Sequence, residues 1–87
     1  MVNTLALYDI PHRSSRLRLE SLLRAAGFMW LFPYARWSSS PLAQHERLLR
    51  RVRSRFKGEM YRMVFIEITA DRRTGALWLT ATRTRRP

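Results

Sequence analysis

Asp9, which closes the apolar run Leu5-Ala6-Leu7-Tyr8 and is followed by Ile10-Pro11, is the residue whose type and placement most directly suggest chemistry. A carboxylate at the end of a strand lies at a sheet rim, where side chains from several elements converge on solvent and can hold a ligand or a hard cation. Arg13, Arg16 and Arg18 follow it closely. Three guanidinium groups leading away from a rim carboxylate suit a phosphate backbone, although the same residues also make an ordinary solvated helix face. Asp9 can equally serve as a cap for the turn that follows, a position Asp favours for local hydrogen-bonding reasons.

A second concentration of charge lies further along. Arg47, Arg50, Arg51, Arg53, Arg55 and Lys57 share a stretch in which Glu46 is the single acid, so this positive stripe cannot be neutralised within its own helix and calls for an external anion. His45 falls on the opposite, apolar side, where a packed histidine and a catalytic base are both conceivable. Between the two basic groups runs Phe28-Met29-Trp30-Leu31-Phe32-Pro33-Tyr34-Ala35-Arg36-Trp37. Its aromatics can stack on bases, or they can supply core or dimer contact.

The whole composition points the same way as the stripe. Seventeen Lys+Arg against six Asp+Glu give a formal net charge of +11, and Lys57 is the one lysine among the seventeen. Guanidinium groups bind phosphate bidentately and stack on bases, so the balance favours a nucleic-acid partner over an acidic membrane surface. With 87 residues, a single domain spanning 1–87 is expected, in a size range that buries only about 60–65% of the unfolded surface, which makes association a natural way to bury more. A hydrophobic share of 46% argues against disorder. The absence of cysteine excludes disulfide scaffolds and thiolate zinc sites. No signal-type segment and no apolar run near 18 residues is visible, so a cytoplasmic protein that does not span the membrane is expected.

These residues need elements to position them. The run ending at Asp9 is apolar at almost every position and reads as an interior strand that Pro11 terminates. Ser14 and Ser15 suggest a helix cap, Leu19, Leu22, Leu23 and Ala26 continue at helical spacing, and Gly27 suits the C′ position. Leu17 falls off that stripe and is open to a partner. The aromatic stretch reads as two short strands or one broken at Pro33. A second helix opens with the serines before Pro41 at N1 and buries Leu42, His45, Leu49, Val52 and Phe56. A strand from Tyr61 to Thr69, a turn from Ala70 to Gly75, a strand from Ala76 to Thr82 and a basic, mobile tail over 83–87 complete the chain. The strand from Tyr61 is apolar on both faces and should be central or covered twice. In the last strand Thr80 and Thr82 alternate with Leu79 and Ala81.

That order predicts an α+β, ferredoxin-like βαββαβ sandwich with an extra C-terminal strand. Tyr8-Asp9-Ile10-Pro11 ending the first strand, Arg16 and Arg18, a glycine at the helix end, an aromatic strand pair and a final added strand together resemble the CRISPR-associated protein 2 family. The resemblance spans nearly the whole chain, but its most specific piece is four residues long. It departs from the family at Trp30–Trp37, where the usual Gln-x-Ser-x-Phe pattern has no equivalent Gln or Ser.

The resemblance implies a homodimer whose two Asp9 carboxylates face each other across the dyad and hold Mg²⁺ or Mn²⁺. It further implies work in spacer acquisition beside the CRISPR-associated protein 1 integrase, on duplex DNA and also single-stranded RNA, with an endonuclease activity, weak or vestigial, in which Asp9 is catalytic. Arg16 and Arg18 carry over as functional arginines, with Arg13 and the Arg47, Arg50, Arg51, Arg53 and Arg55 stripe expected at nucleic acid. Two alternatives stand beside it: a toxin-type ribonuclease resembling virulence-associated protein D, and a noncatalytic nucleic-acid-binding dimerisation module.

Overall fold

Residues 2–59, 61–73 and 75–87 are described by a computed structural model, with the side chains of 70–73, 76–80 and 82 outside that description. Strand β1 (Val2–Asp9) lies in the middle of the sheet, between β3 (Ala35–Ser38) and β4 (Arg62–Arg73). Strand β2 (Met29–Phe32) flanks β3, and β5 (Ala76–Arg85) flanks β4, giving the order β2-β3-β1-β4-β5 with every neighbouring pair antiparallel. With helices α1 (Arg13–Ala25) and α2 (Glu46–Arg55), this is an α+β arrangement consistent with a small ferredoxin-like fold. No helix among the described residues is long and apolar enough to cross a membrane.

Strand alternation decides which side the helices cover. Thr4, Ala6 and Tyr8 of β1 are buried, whereas Asn3, Leu5 and Leu7 between them are half-buried on the other face. Met63 and Phe65 of β4 join the buried face, and with Leu19 and Leu23 of α1 and Leu49 and Val52 of α2 they form one core. Each such side chain contributes about 1.5–3 kcal/mol when fully buried. Cross-strand register then places Leu5, Leu7, Trp37, Val64 and Ile66 together on the face turned away from both helices. Strand β4 is thus an interior strand, between β1 and β5, apolar on both faces over Met63–Ile66, with the helices on one of them.

Helix ends show where local signals were decisive and where tertiary contacts displaced them. Gly27 adopts φ +90°, its N–H reaches the Arg24 carbonyl and the Phe28 N–H reaches that of Leu23, the paired bonds of a Schellman C-cap. At the other end, α1 starts at Arg13 with His12 in the capping position and no side-chain cap, rather than behind Ser14 or Ser15. Ser15 is buried and donates instead to Glu59 at 3.0 Å, a partner that sequence spacing does not reveal. The second helix also begins differently from the expectation. Pro41 precedes a 3-10 turn over Leu42–His45, and α2 follows from Glu46. Ser38 belongs to β3; its hydroxyl bonds His45 Nε2 at 2.9 Å and accepts the Ser40 N–H at 3.0 Å, tying that turn to the strand.

The final hairpin is longer than its composition suggests. Strand β4 continues to Arg73, β5 begins at Ala76, and Gly75 takes φ +76°, so the expected turn from Ala70 shrinks, with Thr74 itself outside the described residues. The expected alternation of Leu79, Thr80 and Thr82 likewise falls on side chains outside the description. Strand β5 runs on through Arg85, where a tail was expected from Arg83. Arg85 lies opposite Phe65 and donates to Glu46 at 2.6 Å, and Arg83 lies 3.9 Å from Glu67.

Candidate nucleic-acid interface

Helix α2 divides cleanly by face. Leu48, Leu49 and Val52 are buried, as are Leu42 and His45 just before it, while Arg47, Arg50, Arg51, Arg53 and Arg55 are exposed. Glu46, the one acid of this helix, is held by Arg85 through contacts of 2.6 and 3.4 Å. None of the five arginines has an ion pair among the described residues. A helix face with five guanidinium groups free of ion pairs, and its only carboxylate already occupied, concentrates positive charge that its own helix does not balance.

The arginines near Asp9 are sorted differently by the fold. Arg13 opens α1 and is exposed. Arg16 is half-buried, with its guanidinium carbon 5.8 Å from the centre of the Tyr34 ring. Arg18 pairs with Glu59 at 2.8 Å, donates to Ser15 at 3.2 Å and lies over the Phe56 ring at 5.1 Å. Its charge is therefore balanced within the chain, in a groove with His12 and Ser14, rather than aimed at Asp9.

Asp9 is exposed at the end of β1, directly across from Arg62 of β4. Both line a rim cavity of about 1010 Å³ whose walls include Leu7, Val64, Phe32 and Tyr34. Tyr34 sits in the β2–β3 turn at φ +68°, and its carbonyl accepts the Tyr8 N–H at 3.0 Å. Tyr8 in turn donates its hydroxyl to Glu20 at 2.8 Å; burial, then this bond, push the phenol above its ordinary value against the opposing pull of Arg36. Arg62 and Tyr34 are rim residues that sequence patterns did not single out, because membership depends on strand register and on one turn residue's backbone.

Among the described residues no group of three or more His, Cys, Asp or Glu side chains comes together. Among the described residues lining the rim cavity Asp9 is the one side-chain carboxylate, and it lies across from the Arg62 guanidinium. His45 lies elsewhere, in the core. It is 6% exposed, its ring centre is 4.6 Å from that of Phe28, and burial lowers its pKa below the ordinary histidine value. It is a packed histidine bonded to Ser38.

Comparison with protein-family models, curated proteins and solved structures returns no match for this chain.

Proposed function

We propose that this chain is a nucleic-acid-binding homodimer of the CRISPR-adaptation type, in which the α2 face carries the phosphate backbone of a duplex beside a CRISPR-associated protein 1 integrase. The observation that carries the reading is the row of five exposed, unpaired arginines on α2, whose neighbouring acid is already taken by Arg85. The Tyr8-Asp9-Ile10-Pro11 strand end and the element order give the reading its family-level content. The apolar sheet face of Leu5, Leu7, Trp37, Val64 and Ile66, which lacks a helix layer, supports association of two copies.

Asp9 and the Asp9 of a second copy would together hold a magnesium or manganese ion, which supplies Lewis-acid stabilisation to a phosphodiester under attack by water. In this reading the arginines bind and orient the backbone, and Asp9 confines any cleavage to the rim. Binding is sequence-tolerant because the α2 contacts go to phosphates.

The test is the salt dependence of duplex affinity. If the dimer neutralises about 6–10 phosphates, affinity falls by roughly 10³–10⁵ between 50 and 200 mM salt. Replacing Arg47, Arg50, Arg51, Arg53 and Arg55 with glutamate abolishes that binding while the melting temperature changes little. An affinity flat across this salt range, or one that survives the charge reversal, removes the proposal.

A further inference from the structure

Within the aromatic stretch between the two basic groups Phe28 joins the core, whereas Trp30 and Tyr34 belong neither to the core nor to the α2 surface. Trp30 is 61% exposed and Tyr34 48%, on an edge strand and its turn, in a chain of net charge +11. We propose that Trp30 and Tyr34, with Arg16 and Arg36 beside them, form a stacking platform for unpaired nucleotides of a nucleic-acid strand. This deepens the nucleic-acid reading and rests on it.

Tyr34 is tied to the fold by contacts, and Trp30 is placed by strand register. Tyr34 keeps a positive φ although it is not glycine, a costly conformation that persists where surrounding contacts over-determine it and that recurs at ligand clamps. The contacts here are the Tyr8 N–H on its carbonyl at 3.0 Å and the Tyr8 ring in a T-shaped arrangement at 6.3 Å. Trp30 lies directly across from Arg36, which pairs on its other side with buried Ala6, so Trp30 and Arg36 share the helix-side face. Tyr34 reaches that side too, through its contacts with Tyr8 and Arg16 of α1.

The charges around the rings select the ligand. Arg16 lies 5.8 Å from the Tyr34 ring centre, and Arg36 is half-buried with its Nε shielded from solvent and without a hydrogen-bond partner. Glu20 accepts the Tyr8 hydroxyl, and Asp9 alternates to the other face of β1, although it shares the rim cavity with Tyr34. Aromatic faces interleaved with guanidinium groups suit a ligand that alternates flat rings with phosphates. Paired bases have both faces covered by their neighbours, so the platform takes unstacked ones, with little sequence preference because every base has a π-face. A second copy of this chain would bring another +11 charge toward the same arginines, whereas a polyanion is attracted to them.

The experiment compares the affinity of the full chain for a short blunt duplex and for the same duplex with a single-stranded oligo-thymidine tail. The tail should improve affinity about tenfold, with quenching of tryptophan fluorescence. In the doubly substituted Trp30→Leu, Tyr34→Leu variant that increment disappears, and Trp30→Phe, which keeps a stacking ring, retains most of it. Blunt-duplex affinity reports separately on α2: if it is absent while the tail still binds and the double substitution removes it, the duplex reading fails and the platform stands. No gain from the tail, or a gain that survives the double substitution, overturns the platform. So does a wild-type dimer that the double substitution converts to monomer without any effect on the tail.

Discussion

His45 ties the local chemistry of one side chain to the pH response of the whole chain. Burial keeps it neutral in the folded state, while in the unfolded chain it takes up a proton near 6.5. The unfolded state therefore binds more protons below that pH, so stability present above about 6.5 is lost as pH falls through the depressed folded value, by at most about 1.4 kcal/mol per pH unit. Thermal melts from pH 7 downward should show this loss in the wild type, and His45→Gln should flatten its onset. Asp9, being exposed, has little structural work to do within one chain. Asp9→Asn should change the metal-free melting temperature by no more than a surface substitution does, about 0.5 kcal/mol equivalent. If the two copies share a cation at this residue, magnesium or manganese stabilises the wild type by about 2.7 kcal/mol at a hundred times the dissociation constant, and leaves the Asn variant unmoved. Equal metal shifts in both proteins, or divalent-dependent cleavage that persists in the variant, would remove Asp9 from the metal site.

At the scale of elements, the Gly27 cap offers a clean measurement. A methyl group added there would meet nothing within 4 Å, so Gly27→Ala changes only the cost of holding φ +90°. Loss of about 1–2 kcal/mol is expected in denaturant melts; a neutral substitution would mean that α1 can end another way. This glycine was legible in the sequence, as were the buried faces of both helices, because 3.6-residue periodicity and capping chemistry are local. Asp9 at a strand end was legible for the same reason, through the apolar run and Pro11. The position of β2 was not. Pro33 marks an edge, bend or bulge, but the aromatics themselves suit core or dimer contact, and strand order, a matter of pairing across distant segments, leaves Met29–Phe32 exposed. The same limit hid Arg62, which neighbours Asp9 only through β1–β4 register, and made Arg83 and Arg85 look like a tail when Glu67 and Glu46 lie beside them.

Across the whole molecule, the sheet presents very different faces: a helix-covered core on one side and a half-buried apolar surface on the other. Leu5, Leu7, Trp37, Val64 and Ile66 gather on the second side, away from the α2 arginines. Self-association through this face would cover apolar area without bringing the α2 stripes into contact. Sedimentation at micromolar concentration should therefore give a dimer, and Leu5→Glu or Ile66→Lys should yield a folded monomer. A wild-type chain that sediments as a stable monomer under those conditions would remove the shared Asp9 site as well, since that site needs two copies.

Strand order also has a consequence for how the chain is made. Strand β1, made before the other four, occupies the centre of the sheet, and its two neighbours come from residues 35–38 and 62–69. One edge of nascent β1 can pair once β3 has emerged, but the other stays unsatisfied until β4 has left the ribosome. Such late, non-local closure slows folding and exposes a sticky strand during that interval. Ribosome-stalled chains ending before Arg62 should accordingly bind holdase chaperones, and release should begin once Thr69 has emerged.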